Sequence, residues 1–358
     1  MADLKHEVLA RIERQRKLRA RWRDDRVTMS HGAGGKTTHT LVTGLFAPAF
    51  ANDALAPLAD AAHVELDGAR LAFTTDAFVV KPLVFPGGSI GELAVNGTVN
   101  DLAVSGARPA FVTAAYVLEE GLDADVLRYE VKAMAEAARH AGVAVVAGDT
   151  KVVERGKADG MYIVTSGIGV RDARIEPSVE SMQPGDRVLC SGTIGDHGTA
   201  IMLARGDLEL DADIESDTAP LWDLVDALLG AAGPSVRVMR DPTRGGVATV
   251  LNELAQDAGL GVILDEDAVP VRPAVKGASE ILGIDVMTVA NEGKLLAVVA
   301  RDAAGDALAA LRSVPGGEDA AVVGEIAQDP PGMVLVRTGF GGTRIMDMLI
   351  GDPLPRIC

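Results

Sequence analysis

Cysteine, aromatic residues and long apolar runs are all scarce in this chain of 358 residues. Its two cysteines exclude a disulfide-rich scaffold, and also a four-thiolate zinc or iron–sulfur site supplied by one chain. Twelve aromatic residues are too few for the base-stacking platforms of single-strand nucleic-acid binders, and the net charge of −17 disfavours a polyanionic partner. No run of 18 apolar residues occurs, and the N-terminus is charged. We therefore expect no nucleic-acid partner, no membrane partner and a cytoplasmic location.

The length and the 48% of hydrophobic residues predict two α/β domains of similar size, with a separate segment at each end. Nine Lys/Arg against five Asp/Glu give residues 1–26 a charge of +4, which predicts a basic helical extension: a solvated helix, or a docking arm for an acidic partner. The domains are expected at residues 27–170 and 171–345, because prolines and glycines mark a boundary near 171–185. Prolines also predict a flexible, extended tail over residues 346–358.

Apolar periodicity places the elements within these domains. In the first domain it predicts a hairpin over residues 64–66 and 70–75, strands over 110–118, 143–147 and 162–169, and a helix over 123–141. In the second it predicts strands over 187–191 and 295–299 and helices over 221–229, 246–258 and 303–311.

A glycine-rich motif, SHGAGGKTT, occupies residues 30–38. It differs from a Walker A loop at Ser30, and the preceding residues are too few and too charged for the strand that such a loop needs. A flap that closes over phosphates fits better, with Gly34 and Gly35 giving flexibility and Lys36 a point charge. A plain loop is the alternative.

Three aspartates, Asp76, Asp101 and Asp149, lie beside small or polar residues at predicted strand or helix ends of the first domain. Carboxylates that converge at the ends of adjacent strands supply the hard oxygen ligands that Mg²⁺ prefers. Each aspartate alone is more typical of a turn or a helix cap, and only the set of three favours a Mg²⁺-nucleotide site.

The second domain carries three polar motifs: GDHG at residues 195–198, DPTRGG at 241–246 and NEGK at 291–294. The donors of the DPTRGG motif precede a predicted helix, where an anion can bind. His197 and Glu292 are candidate acid–base groups, but a loop histidine and a surface carboxylate are the alternatives. Cys358 ends the chain, whereas Cys190 lies in an apolar run and is expected to be a buried, small apolar residue.

In this order the motifs resemble the ATP-binding superfamily of aminoimidazole ribonucleotide synthetase, selenophosphate synthetase and thiamine-monophosphate kinase. The resemblance spans residues 29–358 and also includes TDAFVV at 75–80, FPGG at 85–88, NDLAVSGA at 100–107 and GDTKVV at 148–153. The DPTRGG motif is shared across the superfamily. The terminal PRIC at 355–358 is specific, and it resembles the carbamoyl dehydratases of [NiFe]-hydrogenase maturation.

This resemblance implies a two-domain AIR synthetase-like fold of the α/β (α+β) class, with ATP and Mg²⁺ as cofactors. It also implies a homodimer in which the N-terminal sheets pair. Cys358 would receive a carbamoyl group from the carbamoyltransferase HypF, and ATP-driven dehydration would convert that group to a thiocyanate. The cyanide would then pass to iron on the HypC–HypD complex. Residues 1–26 have no role in this scheme.

The resemblance and the motifs together predict the site residues. Cys358 would carry the substrate, Glu292 would accept its proton and Lys151 would assist or tune the pKa of Glu292. Nucleotide and Mg²⁺ would be held by Asp76, Asp101, Asp149, Lys36, Gly34, Gly35, Asn96 and Thr150, with the metal on the three aspartates. Candidate contacts for phosphate or for the tail are His197, Asp241, Thr243 and Arg244.

Two other functions compete with this one. A small-molecule ATP-dependent synthetase or kinase of the same superfamily would have no use for a terminal thiol. A non-catalytic carrier that only presents a loaded cysteine would not need Glu292, Lys151 or the aspartates for ATP hydrolysis.

Overall fold

The computed structural model describes residues 22–206, 212–349 and 356–358. The first half contains α1 (Lys36–Leu41), α2 (Ala47–Ala49), β1 (Ala62–Leu66), β2 (Ala69–Phe78), β3 (Val84–Phe85), β4 (Gly88–Ser89), α3 (Ile90–Val104), β5 (Ala107–Glu119), α4 (Ala124–His140), β6 (Ala144–Val153) and β7 (Met161–Arg171). The second half contains β8 (Arg187–Cys190), α5 (Asp196–Ala204), α6 (Trp222–Ala232), β9 (Val236–Arg240), α7 (Gly246–Ala258), β10 (Gly261–Asp265), α8 (Pro273–Leu282), β11 (Leu296–Val299), α9 (Ala304–Arg312), β12 (Ala321–Ala327), β13 (Val334–Arg337) and β14 (Thr343–Met346).

The first domain is built on a five-stranded sheet in the order β1-β2-β7-β5-β6. The predicted hairpin is confirmed as β1 and β2, and its turn uses Asp67 and Gly68 in left-handed conformations. The predicted helix is confirmed as α4, where the Asp123 carboxylate accepts a hydrogen bond from the backbone N–H of Asp125 at the N-terminus.

Helix α3 is buried on almost all sides because it lies against the sheet, against α4 and against α6. Asn96 lies in the middle of α3 and Asp101 near its end, whereas the sequence pattern predicts that residues 96–101 open a helix. The early turns of α3 are apolar and buried except at Glu92, so they lack the polar face by which an amphipathic helix start is recognised.

The open face and the free edge of the first sheet carry apolar side chains. The edge strand β6 is exposed over nearly its whole length, including Val145, Val146 and Val152, and Phe73 and Phe111 are about half exposed on inner strands. A surface of this kind is typical of an interface between proteins.

The second domain has a seven-stranded mixed sheet in the order β14-β13-β10-β12-β8-β11-β9. Helix α7 packs on one side with the core of Val188, Leu251 and Val262, and helices α6 and α9 pack on the other side. The predicted strands and helices of this domain are all present, within one to three residues at their ends. Cys190 is buried, as predicted.

Two predictions concern the ends of the chain. Most of the basic extension over residues 1–26 lies outside the described residues, as does the part of the tail that contains Gly351, Pro353 and Pro355. Among the helices of the described ranges, none combines the length and the apolar character that a bilayer-spanning segment needs.

Candidate active site

Four carboxylates from four different elements approach one another between the two domains. Asp76 lies near the end of β2, Asp101 on α3, Asp241 directly after β9, and Glu292 before β11. We call these residues the acidic cluster. Its members come from both domains, so the cluster exists only when the domains are packed together.

Mutual repulsion and burial change the protonation of this cluster. Burial raises the pKa of Asp101 well above its usual value, and the charges of Asp241 and Asp76 raise it further. Burial likewise raises the pKa of Asp241, as do the charges of Asp60 and Asp76. A cation placed here would relieve this repulsion, so the cluster is suited to bind one.

Glu292 is buried, with 3% of its surface exposed, and its Oε1 atom has no hydrogen-bond partner. Its backbone is fixed on both sides: the carbonyl accepts from Asn100 Nδ2 at 2.9 Å, and the N–H donates to Asp217 Oδ1 at 3.1 Å. Burial raises the pKa of Glu292 well above its usual value, and the charges of Asp241, Asp76 and Asp217 add to this effect. A carboxylate in these surroundings is a stronger base than one in water.

Arg244 is the cation that faces the acidic cluster. The charge of Cys358, followed by the charges of Asp76 and Glu292, raises the pKa of its guanidinium. One of its terminal nitrogens donates to the carbonyl oxygen of Gly32 at 3.2 Å, which ties the cation to the glycine-rich motif. Arg244 thus lies between the glycine-rich motif, the carboxylates and the end of the chain.

Cys358 lies in a cavity of about 350 Å³. The cavity is lined by residues from the glycine-rich motif, the end of β2 and the DPTRGG motif, among them Gly32, Ala77 and Arg244. A backbone carboxylate oxygen of Cys358 accepts from the backbone N–H of Val79 at 3.0 Å. The last residue of the chain is therefore inside the site in this conformation.

His197 holds the residue before the terminal cysteine. Its Nε2 atom is 2.6 Å from the carbonyl oxygen of Ile357, and its Nδ1 atom is 2.8 Å from Ser216 Oγ. Burial lowers the pKa of His197, so the ring is neutral; an N–H on Nε2 then donates to Ile357, and Nδ1 accepts from Ser216. Nε2 also lies 4.0 Å from Oε1 of Glu292. The sequence analysis predicts that His197 contacts either phosphate or the tail, and the structure contains the contact with the tail.

The glycine-rich motif packs against Arg244 and against the start of the tail. A Cβ atom on Gly34 would lie 2.5 Å from the Cβ of Arg244, and Gly34 has a φ of +79°, so glycine is required. The backbone N–H of Lys36 donates to the carbonyl of Leu349 at 3.1 Å, and its side chain pairs with Asp347. The charge of Lys36 is thus directed to the tail segment.

A second cleft, of about 960 Å³, opens on the other side of Arg244. Its lining includes Gly34, Asp60, Asp241 and Thr243. Because Arg244 lines both the cleft and the cavity of Cys358, the two spaces adjoin at this residue.

Asp149, Thr150 and Lys151 lie apart from this site. They lie within β6, not after a strand end as predicted, because β6 continues to Val153. The register aligns Asp76 with Gly148 across β7 and β5, and three spacings of roughly 4.8 Å put Asp149 about 14 Å from Asp76. Hydrogen bonding to Lys151 lowers the pKa of Asp149. The predicted convergence of three aspartates therefore does not occur within one chain.

Asn96 has a structural contact: its Nδ2 donates to Thr218 Oγ1 at 3.1 Å, in the interface between the domains. Among the described residues, no group of three or more Asp, Glu, His or Cys side chains is arranged to hold a metal ion. Mg²⁺ that accompanies a nucleotide is usually bound by one or two carboxylates together with the phosphates. The acidic cluster fits that kind of site, and it does not fit a site made by protein ligands alone.

Sequence reasoning missed three residues that shape the site. Asp60 pairs with Arg240 at 2.7 Å beside the acidic cluster, and Asp217 fixes the backbone of Glu292. Asn100 joins α3 to the second domain. Asp60 and Asp217 lie in irregular segments with no motif around them, so nothing in their spacing indicated a role.

Two family models match the chain. Residues 58–171 match the N-terminal domain of AIR synthase related proteins, and residues 183–336 match the C-terminal domain. Carbamoyl dehydratase HypE of Bradyrhizobium diazoefficiens is 51% identical over 93% of this chain and 96% of the relative. The Escherichia coli protein of the same name is 46% identical over 93% of this chain and 99% of the relative.

Solved structures agree with these relatives. A structure of a HypE–HypF complex matches with a TM-score of 0.82 and 48% identity, over 86% of this chain and 99% of the other. A structure of HypE in complex with ATP matches with a TM-score of 0.78 and 44% identity, over 93% of this chain and 100% of the other.

Proposed function

This chain belongs to the HypE family of carbamoyl dehydratases, which are AIR synthase-related proteins, and on that premise we propose that it uses ATP to dehydrate a carbamoyl group carried on its own Cys358. The product would be a thiocyanate on the same sulfur, from which a cyanide ligand for the iron of [NiFe]-hydrogenase is supplied. The observation that carries the proposal is the position of Cys358 in a cavity beside Arg244 and the acidic cluster.

The chemistry requires groups of the kind that surround Cys358. A carboxamide loses its oxygen and both N–H protons when it becomes a thiocyanate, and the oxygen leaves on phosphate. When bound, Mg-ATP supplies the phosphoryl group that turns this oxygen into a leaving group, and one or two of Asp76, Asp101 and Asp241 would hold the metal together with the phosphates. Arg244 would stabilise the negative charge that develops on the transferred group.

Glu292 is the proposed acceptor for a carboxamide N–H proton. Its unpartnered Oε1 and its buried position support this role, because no protein donor competes for that oxygen. His197 would hold the loaded tail through the carbonyl of Ile357. Both groups act by position: the base is fixed by its backbone contacts and the substrate is fixed by the tail.

The larger cleft is the proposed place for the nucleotide, with Gly34, Gly35, Thr243 and Lys36 near its phosphates. The solved HypE complex with ATP supports nucleotide binding by this chain, since the two chains are 44% identical over 93% of this one. Lys36 would have to exchange Asp347 for a phosphate, which couples closure of the glycine-rich motif to the start of the tail.

A homodimer is proposed for the first domain. The exposed apolar residues of β6 and of the open sheet face support pairing with a second copy. Such pairing would bury Asp149, Thr150 and Lys151 in the interface. Any contribution of Lys151 to Glu292, or of Asp149 and Thr150 to nucleotide binding, therefore depends on assembly.

The proposed partners are the carbamoyltransferase HypF, which would load Cys358, and the HypC–HypD complex, which would receive the cyanide. The HypE–HypF complex supports the first partner, because that chain is 48% identical to this one. The second partner follows from the family's function alone.

The proposal is tested by carbamoylating Cys358, adding Mg-ATP and measuring the intact mass. We expect the mass to fall by one water as ADP forms, and Glu292→Gln to abolish the loss. A small-molecule enzyme, the main alternative, would leave the mass unchanged. A mere carrier would also leave the mass unchanged, and its ATP hydrolysis, if any, would not depend on Glu292. An unchanged mass, or a loss of water that persists in Glu292→Gln, contradicts the proposal.

A further inference from the structure

The side chain of Arg356 is held at the rim of the Cys358 cavity by three contacts. Its guanidinium forms an ion pair with Asp159, in the loop before β7. The same group lies over the ring of Tyr162, 5.9 Å from the centroid, and its Nε donates to the carbonyl of Val79 at 3.1 Å. Carboxylate, aromatic face and carbonyl are the three kinds of group that bind a guanidinium best.

The backbone of Arg356 is fixed as well. Its carbonyl accepts from a terminal nitrogen of Arg205 at 2.6 Å and from the backbone N–H of Lys81 at 3.2 Å. Lys81 also donates its side chain to Asp159 at 3.0 Å, so Asp159 joins two cations. Both the side chain and the backbone of Arg356 are therefore held by residues outside the tail.

The backbone conformations of Arg356 and Asp159 independently indicate that these contacts constrain the chain. Arg356 has a φ of 58° and Asp159 a φ of 47°, both in the left-handed region that side chains other than glycine disfavour. Such conformations persist where surrounding contacts enforce them, and they are common at ligand clamps. Here both partners of one ion pair adopt them.

We propose that Asp159 and Tyr162 form a receptor for the guanidinium of Arg356 that holds the terminus inward and sets the position of Cys358. They are positioning residues: they contact Arg356 and act on the thiol of Cys358, two residues further along the chain, only through it. The purpose of the receptor, delivery of Cys358 to Glu292 and the nucleotide, rests on the proposed function.

The receptor is suited to a terminus that must also move out of the cavity to reach a partner. Asp159 and Arg356 are both partly exposed, and partly exposed ion pairs contribute little because water screens them. Loss of the pair should therefore shift the balance between inward and outward tails by about 3- to 10-fold, without detaching the tail completely. A partner that loads Cys358 would need to overcome only this modest bias.

The test measures how fast iodoacetamide alkylates Cys358 in the full-length, uncarbamoylated protein without nucleotide, by mass spectrometry of the C-terminal peptide. Cys190 is buried and serves as an internal control for unfolding. We expect Asp159→Asn to speed alkylation of Cys358 by about 3- to 10-fold with no change at Cys190. Asp125→Asn, which removes an exposed aspartate from another Asp–Arg pair, is the matched control and should have no effect.

Further variants separate recognition from structure. Arg356→Gln changes only the tail and should reproduce the effect of Asp159→Asn, so the test does not depend on the loop folding correctly. Tyr162→Phe keeps the aromatic face and should behave as wild type, whereas Tyr162→Leu should speed alkylation.

An unchanged rate in Asp159→Asn and Arg356→Gln would overturn the receptor. These measurements involve neither carbamoylation nor ATP. A chain that alkylates as expected but never loses water from carbamoylated Cys358 would therefore keep the receptor and lose the proposed function.

Discussion

Asn100 is the side chain on which we expect the junction of the two domains to depend most. Its Nδ2 donates to the carbonyls of Ala219 and Glu292, both at 2.9 Å, and its Oδ1 accepts from the backbone N–H of Leu221 at 2.8 Å. Asn100→Ala would remove all three bonds at once. Water has little access, because Asn100 and Leu221 are fully buried and Glu292 nearly so.

The size of the effect follows from burial. Each buried polar group left without a partner costs about 1–3 kcal/mol, so three groups, one of them only partly buried, should cost about 3–5 kcal/mol of the free energy of unfolding. That is a large part of the roughly 5–15 kcal/mol by which proteins are stable. Dehydration by the folded variant should also slow, because the backbone of Glu292 loses its contact with α3.

Asn52 provides the matched control. It also makes three side-chain hydrogen bonds, to the carbonyl of Phe50 and from the N–H groups of Ala54 and Leu55, but on the surface. Water replaces such bonds, so Asn52→Ala should cost no more than about 1 kcal/mol. Urea unfolding followed by tryptophan fluorescence measures both variants. Equal losses would refute the argument that burial decides the cost.

Three further predictions concern other parts of the molecule. Burial raises the pKa of Glu253 to about 7. Between about pH 4.5 and 7 the folded protein keeps a proton that the unfolded chain has lost, so the free energy of unfolding should fall as pH rises, by at most about 3 kcal/mol. Glu253→Gln should flatten that fall in thermal melts measured across pH. Val146→Lys should yield monomers by light scattering, and a persistent dimer would exclude β6 from the interface. A Cβ on Gly293 would overlap the backbone carbonyl of Asp217, so Gly293→Ala should lower the melting temperature. Gly305→Ala, in open space, is the control and should melt at the wild-type temperature.

Local patterns predicted most elements of the fold because the physics that forms them is local. The hairpin turn at Asp67 and Gly68 and the N-terminal cap at Asp123 are both decided by neighbouring residues. The start of helix α3 is the exception: because the helix is buried on nearly all sides, its sequence has no amphipathic pattern that would mark where it begins.

The candidate site was predicted in part. Asp76, Asp101, Asp241 and Glu292 lie in motifs that stood out in the sequence, and the structure brings them together. Asp149 stood out equally, yet it lies on the far edge of the sheet, because strand order is not written in any one motif. Asp60 and Asp217 lie between the motifs, so no pattern in the sequence indicated their role.

By itself the sequence determined which residues are candidates for the chemistry: the thiol of Cys358, a glycine-rich loop, and carboxylates beside small neighbours. It also determined the strands and helices that hold them, because these depend on contacts close along the chain. Only the tertiary structure decided which carboxylates share a site, where Arg244 stands, and that the ring of His197 and the pair of Asp159 with Arg356 hold the terminus. The contact of His197 with Ile357 and the pair of Asp159 with Arg356 join residues 160 and 197 positions apart. Their existence therefore depends on how the tertiary structure packs and not on any local preference.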